Sequence, residues 1–227
     1  MKDSDFICFI GGDERQKYAA EVLADHIKIN TVGEVFKSGN HQNVKYFDNA
    51  IKALYGSKAV VLPLPAATSE SIISFLDLSE IILKNSSYLI GGRFSPYLRG
   101  IINQKGIAYG DYYEDEVFTV KNAYLTAEGA LQLAMKELKG SLRFSKCAIL
   151  GYGRIGKALG EMLKSFNAEV TVFARREESL VWASEKGFNT YKITEKSEFN
   201  KLLCEFDVIF NSVRHGAFGA RIIARRI

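Results

Sequence analysis

The stretch Lys146–Arg176, KCAIL-GYGRIG-KALGEMLKSF-NAEVTVFARR, decides the fold of this chain. Its first residues predict a buried strand, Lys146–Leu150, which is followed by a Gly-x-Gly-x-x-Gly turn. An amphipathic helix is predicted over Ile155–Phe166 and a second strand over Glu169–Phe173. This order of strand, turn, helix and strand is that of a dinucleotide-binding βαβ unit. A glycine-rich turn that serves packing alone is the structural alternative.

The three glycines of the turn have separate physical tasks in such a unit. Gly151 makes the tight turn, Gly153 lets a pyrophosphate approach the backbone, and Gly156 lets the helix pack closely on the strand. The pyrophosphate would lie on the free N–H groups at the start of the helix. Arg154 would add a charged contact. The predicted cofactor contacts of the turn are therefore Gly151, Tyr152, Gly153, Arg154, Ile155 and Gly156.

The residues after the second strand indicate which dinucleotide binds. An NAD site usually places an acidic residue there for the ribose hydroxyls, whereas arginine accommodates the 2′-phosphate of NADP. Here Arg175 and Arg176 follow the strand, and guanidinium groups suit planar phosphate recognition. We therefore predict NADP. NAD stays the alternative, because Glu177 and Glu178 come next in the sequence.

A fourth strand of this domain is predicted over Asp207–Val213. The turn after this strand lies beside the nicotinamide ribose in Rossmann folds, so Asn211 and Val213 are predicted cofactor contacts. A plain turn at the end of the strand is the alternative for Asn211. Three further elements are predicted before this strand: a helix over Ser179–Lys186, a short strand over Asn189–Ile193 and a helix over Ser197–Leu203.

The N-terminal part alternates short apolar runs with amphipathic segments, which is typical of an α/β protein. Strands are predicted over Phe6–Ile10, Lys58–Leu64 and Tyr88–Ile90, with weaker candidates over Ile107–Tyr109 and Val117–Val120. Helices are predicted over Glu14–Ile27, with Tyr18, Val22 and Leu23 as the apolar stripe, and from Ser95-Pro96 to Gln104.

A longer helix is predicted to begin at Thr126 as N-cap and to end at Lys139-Gly140. We place the domain boundary after it. The predicted fold class is α/β, with a flavodoxin-like or Rossmann-like N-terminal domain over residues 1–140. An NAD(P)-binding Rossmann domain follows over residues 141–227. GDYYEDE (110–116) is predicted to be a surface loop.

The composition is that of a globular protein: 227 residues, 47% hydrophobic and 25% charged. The three cysteines, Cys8, Cys147 and Cys204, lie in apolar stretches without a Cys-x-x-Cys or Cys/His cluster, so we predict buried thiols and no metal site. The N-terminal apolar run is too short for a signal peptide, and no stretch is long enough for a membrane span. These features predict a cytoplasmic protein.

The net charge of +4 has a local origin. Four arginines, and no acidic residue, lie in the last 14 residues, RHGAFGARIIARRI. The rest of the chain is balanced between acidic and basic residues, so no general nucleic-acid footprint is predicted. Residues 146–227 also provide only four predicted strands, whereas a complete Rossmann sheet has six. We expect a truncated or altered C-terminus after Val213.

Several motifs together resemble the A subunits of dipicolinate synthases. They are FIGGDERQ (Phe9–Gln16), VLPLPAAT (Val61–Thr68) and TAEGA (Thr126–Ala130), followed by the GYGRIG turn and VTVFARR. The likeness covers roughly residues 5–213. The two-domain organisation also resembles that of 2-hydroxyacid dehydrogenases.

The resemblance implies a sporulation enzyme that acts in the mother cell. With a flavoprotein-like B subunit it would convert 4-hydroxy-tetrahydrodipicolinate, or its dehydrated form, to pyridine-2,6-dicarboxylate. Such a protein would be an NAD(P)-linked oxidoreductase and part of an oligomer. A non-catalytic nucleotide-binding scaffold or sensor for the B subunit is the alternative. Neither membrane nor nucleic acid is an expected partner. Activity is in question if strands beside the nicotinamide are absent.

A dicarboxylate substrate requires cations and oriented N–H groups. The resemblance points to Arg93 and Arg15 as carboxylate clamps, although a surface arginine and a capping loop are the alternatives. The expected substrate contacts are Arg93, Arg15, Gly11, Gly12, Thr126 and Gly129. No convincing base is present, and Glu128 and Asp13 are the expected candidates for proton transfer.

Overall fold

The chain forms two compact units, Met1–Glu116 and Val117–Ile227. The computed structural model describes residues 5–38, 41–68, 72–193 and 202–213, together with the backbone of 222–224. Most of the predicted helix at 197–203 and most of the basic tail at 214–227 therefore lie outside the described residues. No helix among the described residues is long and apolar enough to cross a membrane.

The first unit contains a six-stranded parallel sheet in the order β3-β2-β1-β4-β5-β6. This is the doubly wound Rossmann order, and it differs from the flavodoxin order. The direction of winding reverses between β1 and β4, whose carboxyl ends therefore border a crevice suited to ligands. The strands are β1 (Phe6–Ile10), β2 (Lys28–Val32), β3 (Val44–Tyr46), β4 (Ala59–Val61), β5 (Tyr88–Gly91) and β6 (Tyr109–Asp111).

Among the described residues, four α-helices connect these strands. For the first of them, the predicted apolar face is wrong. Its predicted apolar stripe faces away from the core, since Tyr18 is 70% exposed. Ala20 and Ala24 are buried instead, because small side chains let the helix approach the sheet closely. The helices are α1 (Glu14–Ala24), α2 (Ala50–Leu54), α3 (Phe75–Asn85) and α4 (Pro96–Gln104).

The second unit contains a five-stranded sheet in the order β11-β10-β7-β8-β9. β7 to β10 are parallel, whereas β11 pairs antiparallel with β10. The predicted strand–turn–helix–strand unit is confirmed within one residue at each end. The elements are α5 (Glu116–Glu137), β7 (Lys146–Leu150), α6 (Arg154–Ser165), β8 (Glu169–Ala174), α7 (Glu177–Glu185), β9 (Asn189–Lys192), β10 (Val208–Asn211) and β11 (Ile222–Ala224).

Two predictions are wrong in the region of helix α5, and the division between the units lies before this helix rather than after it. The predicted strand Val117–Val120 is helical, and Thr126 lies inside the helix rather than at its start. Ala127, Leu131 and Ala134 are buried in the core of the second unit, with β7 and α6. The predicted boundary at 140 follows this helix, but its packing makes it part of the second unit.

The cysteines follow the prediction at two of three positions. Cys8 and Cys147 are completely buried in the two cores, and burial raises the pKa of the Cys147 thiol to about 12. Cys204 is exposed, contrary to the prediction. The apolar side chains that precede it, Leu202 and Leu203, take up the contacts with the core cluster.

Candidate functional site

The GYGRIG turn has the backbone geometry that its glycines predict. Gly151 has a φ of +90°, which side-chain-bearing residues rarely adopt. A Cβ at Gly156 would overlap the carbonyl oxygen of Gly151, so helix α6 can approach the turn only with glycine there. A Cβ at Gly153 would meet no protein atom within 4 Å. The space over Gly153 is thus open to a ligand.

A cavity of about 530 Å³ lies at the carboxyl ends of β7, β8 and β10. Its size is in the range of small-molecule and cofactor sites. The open space at Gly153 and the arginines after β8 fit a dinucleotide with its phosphates on the turn. The lining residues are Gly151, Tyr152, Gly153, Phe173, Ala174, Arg175, Arg176, Ser179, Ile193, Ser212 and Val213.

Most of the predicted cofactor residues line this cavity, but Arg154, Ile155, Gly156 and Asn211 do not. Ile155 packs against the core of the second unit. The side-chain oxygen of Asn211 accepts a hydrogen bond from the Val213 N–H at 3.0 Å, which shapes the turn after β10. Asn211 therefore fits the alternative interpretation, a turn at the end of the strand, better than it fits a position in the cavity wall.

Two serines of the cavity wall were missed by the sequence analysis. The Ser212 hydroxyl donates to the Leu150 carbonyl at 2.8 Å and so ties the end of β10 to the end of β7. Ser179 lies in the first turn of α7. The position of Ser212 directly after Asn211 was the available signal, whereas nothing in the sequence marks Ser179.

A second cavity, of about 250 Å³, adjoins the first. The two share Tyr152, Gly153, Arg176 and Ser179. The Lys157 ammonium group lies 5.7 Å from the centre of the Trp182 ring, within cation–π range. The second cavity is lined by Tyr152, Gly153, Arg154, Lys157, Arg176, Glu178, Ser179 and Trp182.

In the first unit, Arg15 lies at the point where the winding of the sheet reverses. Its guanidinium pairs with Asp13 at 2.7 Å and donates to the carbonyl oxygen of Leu64, after β4, at 3.3 Å. Asp13 also caps α1 by accepting from the Arg15 backbone N–H. The hydrogen bonds from Arg15 hold the pKa of Asp13 below its usual value. Asp13 is therefore a paired, ionised capping residue and a weak candidate base.

Arg93 is held by a carboxylate that the sequence analysis placed in a surface loop. Arg93 has a φ of +60°, and its N–H donates to Asp111 at 2.8 Å. Asp111 also accepts from the Phe94 N–H at 3.2 Å and from the Arg99 guanidinium at 2.5 Å. Its side chain is only 1% exposed. Asp111 therefore fixes the loop that carries Arg93, whose guanidinium lies 5.6 Å from the ring centre of Tyr113.

Tyr112 is a further residue of this region that the sequence did not single out. A Cβ at Gly92 would lie 2.5 Å from the Tyr112 ring, so this glycine makes room for the phenol. Tyr112 forms a side-chain hydrogen bond with Gln16 and interacts electrostatically with Arg15. Burial raises the pKa of Tyr112 to about 12, and Arg15 partly opposes that rise. Tyr112 thus stays a neutral phenol at physiological pH.

We expect Tyr112→Phe to remove part of the alkaline loss of stability. Because the pKa of Tyr112 is raised in the folded state, its contribution is fully present below about pH 10 and is lost as the pH rises towards about 12. Urea unfolding of both proteins across this range measures the effect. The stability difference between wild type and variant should shrink with pH, and a constant difference would contradict the assignment.

The other expected substrate residues do not lie where the sequence placed them. Thr126 and Gly129 are in the interior of α5, and the Thr126 hydroxyl donates to the Asn122 carbonyl at 2.7 Å. Glu128 is exposed on the same helix. The Gly11 N–H is used within the sheet, since it donates to the Val32 carbonyl at 2.7 Å. The first unit therefore brings together Arg15 and Tyr112, with Gly12 in the loop just before α1.

Two family models match the two units in turn. Residues 6–113 match the N-terminal domain of the dipicolinate synthase A subunit. Residues 119–225 match the NAD-binding domain of D-isomer-specific 2-hydroxyacid dehydrogenases. The boundary between the matches agrees with the structural division before α5.

Individual proteins are similar to this chain over most of its length. The dipicolinate synthase A subunit of Bacillus subtilis strain 168 is 24% identical over 222 residues, which cover 91% of this chain and 72% of that protein. The crystal structure of the dipicolinate synthase A subunit from Bacillus halodurans has a TM-score of 0.72 at 23% identity, over 92% of this chain and 74% of that one. A D-lactate dehydrogenase structure from Treponema pallidum has a TM-score of 0.57 at 16% identity, over 94% and 63% of the two chains.

Proposed function

We propose that this chain is an NADP-dependent oxidoreductase subunit that forms pyridine-2,6-dicarboxylate, as its similarity to dipicolinate synthase A subunits suggests. The observation that carries the proposal is the cavity that borders Gly153, over which the space is open to a ligand. This cavity lies in the unit that matches a dehydrogenase NAD-binding domain, and the preceding unit matches the N-terminal domain of dipicolinate synthase A subunits. The proposed substrate is 4-hydroxy-tetrahydrodipicolinate or its dehydrated form, dihydrodipicolinate.

The proposed reaction removes two hydrogens from the dihydropyridine ring. A bound nicotinamide would supply the hydride acceptor, and the second hydrogen leaves as a proton as the ring becomes aromatic. The turn residues of the second unit would hold the cofactor phosphates on their N–H groups, and Ser212 and Val213 would border its inner end. Of the two candidate bases, Glu128 is retained, because Asp13 is already paired with Arg15.

The wall of the larger cavity favours NADP over NAD. Arg175 and Arg176 line it, and its described lining contains no carboxylate that would bind ribose hydroxyls. Glu177, one of the two acidic alternatives, forms an ion pair with Lys192 at 2.5 Å. Glu178, the other, borders the smaller cavity. A cationic wall fits a ligand with an additional phosphate better than it fits a bare ribose.

Substrate binding is proposed for Arg15 and Arg93 of the first unit. Both are exposed and follow strands of one parallel sheet at its carboxyl edge. Two carboxylates on the substrate call for two cations. The neutral phenol of Tyr112, beside Arg15, would add a hydrogen-bond donor. The relatives are named as the A subunits of their synthases, so a second, flavoprotein-like B subunit is the proposed partner.

We expect Arg15→Gln and Arg93→Gln each to raise the KM for the dicarboxylate roughly tenfold or more, because a charge-assisted hydrogen bond is lost. The Kd for NADP should not change. Arg143→Gln is the matched control, since Arg143 is an exposed arginine of the second unit whose guanidinium lies over the Phe144 ring and which borders neither cavity. If the two variants have the same KM for the dicarboxylate as the control variant, neither Arg15 nor Arg93 belongs to the substrate site.

The alternative function is that of a non-catalytic nucleotide-binding scaffold for the B subunit. The absence of histidine, aspartate and glutamate from the larger cavity's described lining favours it. NADPH formation by this chain, in the presence of substrate and the B subunit, separates the two. Cofactor binding without turnover would support the scaffold, and binding of neither nicotinamide would contradict both.

A further inference from the structure

We propose that the smaller cavity beside the GYGRIG turn is a phosphate subsite, in which Lys157 and Arg176 hold the 2′-phosphate of NADP. This inference rests on the proposed nicotinamide-dependent function and adds residues to it. The sequence alone points to Arg175 and Arg176 as equals. The structure separates them and brings in Lys157, which lies far from them in the sequence.

The charge around the smaller cavity fits a phosphate monoester. Arg154 and Lys157 reach it from the first turn of α6, and Arg176 reaches it from the loop before α7. Within the described part of the chain, neither Lys157 nor Arg176 takes part in an ion pair. A phosphate monoester carries about −1.5 to −2 charges at pH 7, which these cations match.

The shape of the two cavities connects this subsite to the dinucleotide. Arg176 and Ser179 belong to both walls, together with Tyr152 and Gly153 of the turn. A ligand whose ribose lies in the larger cavity can therefore extend a substituent into the smaller one. Arg175 borders only the larger cavity. The structure thus assigns discrimination between NADP and NAD to Arg176 and Lys157 rather than to Arg175.

Two further residues of the wall make the subsite testable. Glu178 is the one acidic residue of its described lining and would repel a phosphate. Trp182 is the single tryptophan of the chain and is 55% exposed. Because the Lys157 ammonium group lies over its ring, a phosphate that draws Lys157 away changes the surroundings of the indole. Tryptophan fluorescence therefore reports on the surroundings of this cavity.

The experiment titrates the full chain with 2′-AMP, 5′-AMP, NADP and NAD, followed by tryptophan fluorescence and calorimetry. We expect 2′-AMP to bind more tightly than 5′-AMP. Lys157→Gln and Arg176→Gln should each weaken NADP and 2′-AMP roughly tenfold while NAD changes less than twofold. Glu178→Gln should strengthen NADP, and Arg175→Gln should change the ratio of NADP to NAD affinity less than Arg176→Gln does.

Lys164→Gln is the matched control. Lys164 lies on the same helix and has the same kind of contact, with its ammonium group 5.8 Å from the Phe188 ring centre, but it borders neither cavity. Its removal should leave all four affinities unchanged. If NADP binds and the Lys157 and Arg176 variants lose nothing relative to this control, the subsite is wrong while the proposed function stands. If neither nicotinamide binds, the proposed function fails, and the 2′-AMP titration still decides whether the subsite exists.

Discussion

Gly153→Ala is expected to weaken NADP and NAD binding at least ~100-fold without lowering the stability of the free protein. The added methyl group meets no protein atom within 4 Å, and the backbone at Gly153 is extended, with φ at −83° and ψ at −164°. Alanine is therefore accepted without strain, and replacement of glycine can even stabilise by about 0.4–1 kcal/mol through the unfolded state. The methyl group instead fills the space that a pyrophosphate must enter.

The matched variant is Gly156→Ala, three residues further along the same turn. Its methyl group would overlap the Gly151 carbonyl oxygen, and a backbone atom there has no room to move. We expect a loss of about 3 kcal/mol in the free energy of unfolding, at the upper end of what overpacking costs. Urea unfolding and calorimetric titration measure the two effects separately. NADP binding by Gly153→Ala at the wild-type Kd would show that no phosphate approaches this turn.

Asp111→Asn is expected to destabilise the first unit by about 3 kcal/mol. The carboxylate is buried and accepts hydrogen bonds from three backbone N–H groups, those of Arg93, Phe94 and Tyr113, and from the Arg99 guanidinium. Breaking a buried pair by neutralising one partner typically costs about 3–5 kcal/mol. The lower end applies because the Arg99 side chain is 30% exposed. An amide would also turn an NH₂ group towards one of these donors.

Asp13→Asn makes the same chemical change at an exposed ion pair and serves as the control. Asparagine also caps helices well, so only the pairing with Arg15 is lost. An exposed pair contributes about 0–1 kcal/mol. Denaturation followed by circular dichroism measures both variants, and Trp182 fluorescence separates out the second unit. Equal effects of the two substitutions would contradict the structural role of Asp111.

Local sequence signals predicted the dinucleotide-binding part well. The strand β7, the turn and α6 are adjacent in sequence, so glycine spacing and apolar periodicity describe them. The same periodicity predicted the wrong face of α1. Tyr18, Val22 and Leu23 have helical spacing, but the sheet is covered by the small Ala20 and Ala24. Hydrophobicity alone does not register how closely two elements approach.

Helix α5 shows a second limit of local reasoning. Thr126 followed by Glu128 has the form of a helix start, yet the helix begins ten residues earlier, at Glu116. The β-branched and aromatic residues of Val117–Val120 favour a strand only weakly, and tertiary packing overrides that preference. The observed domain boundary lies before this helix rather than after it, because Ala127 and Leu131 are buried in the core of the second unit. That burial depends on contacts with residues distant in the sequence.

The sequence by itself determined the α/β class, the dinucleotide turn and the position of two arginines, Arg175 and Arg176, directly after β8. Each of these features depends on residues that lie close together in the chain. Only the tertiary structure decided which charged groups meet. It placed Lys157 with Arg176, and it buried Asp111 under the Arg93 loop. It also set Tyr112 beside Arg15. Each of these contacts joins separate elements, and their geometry follows from strand order and helix packing, which no local pattern encodes.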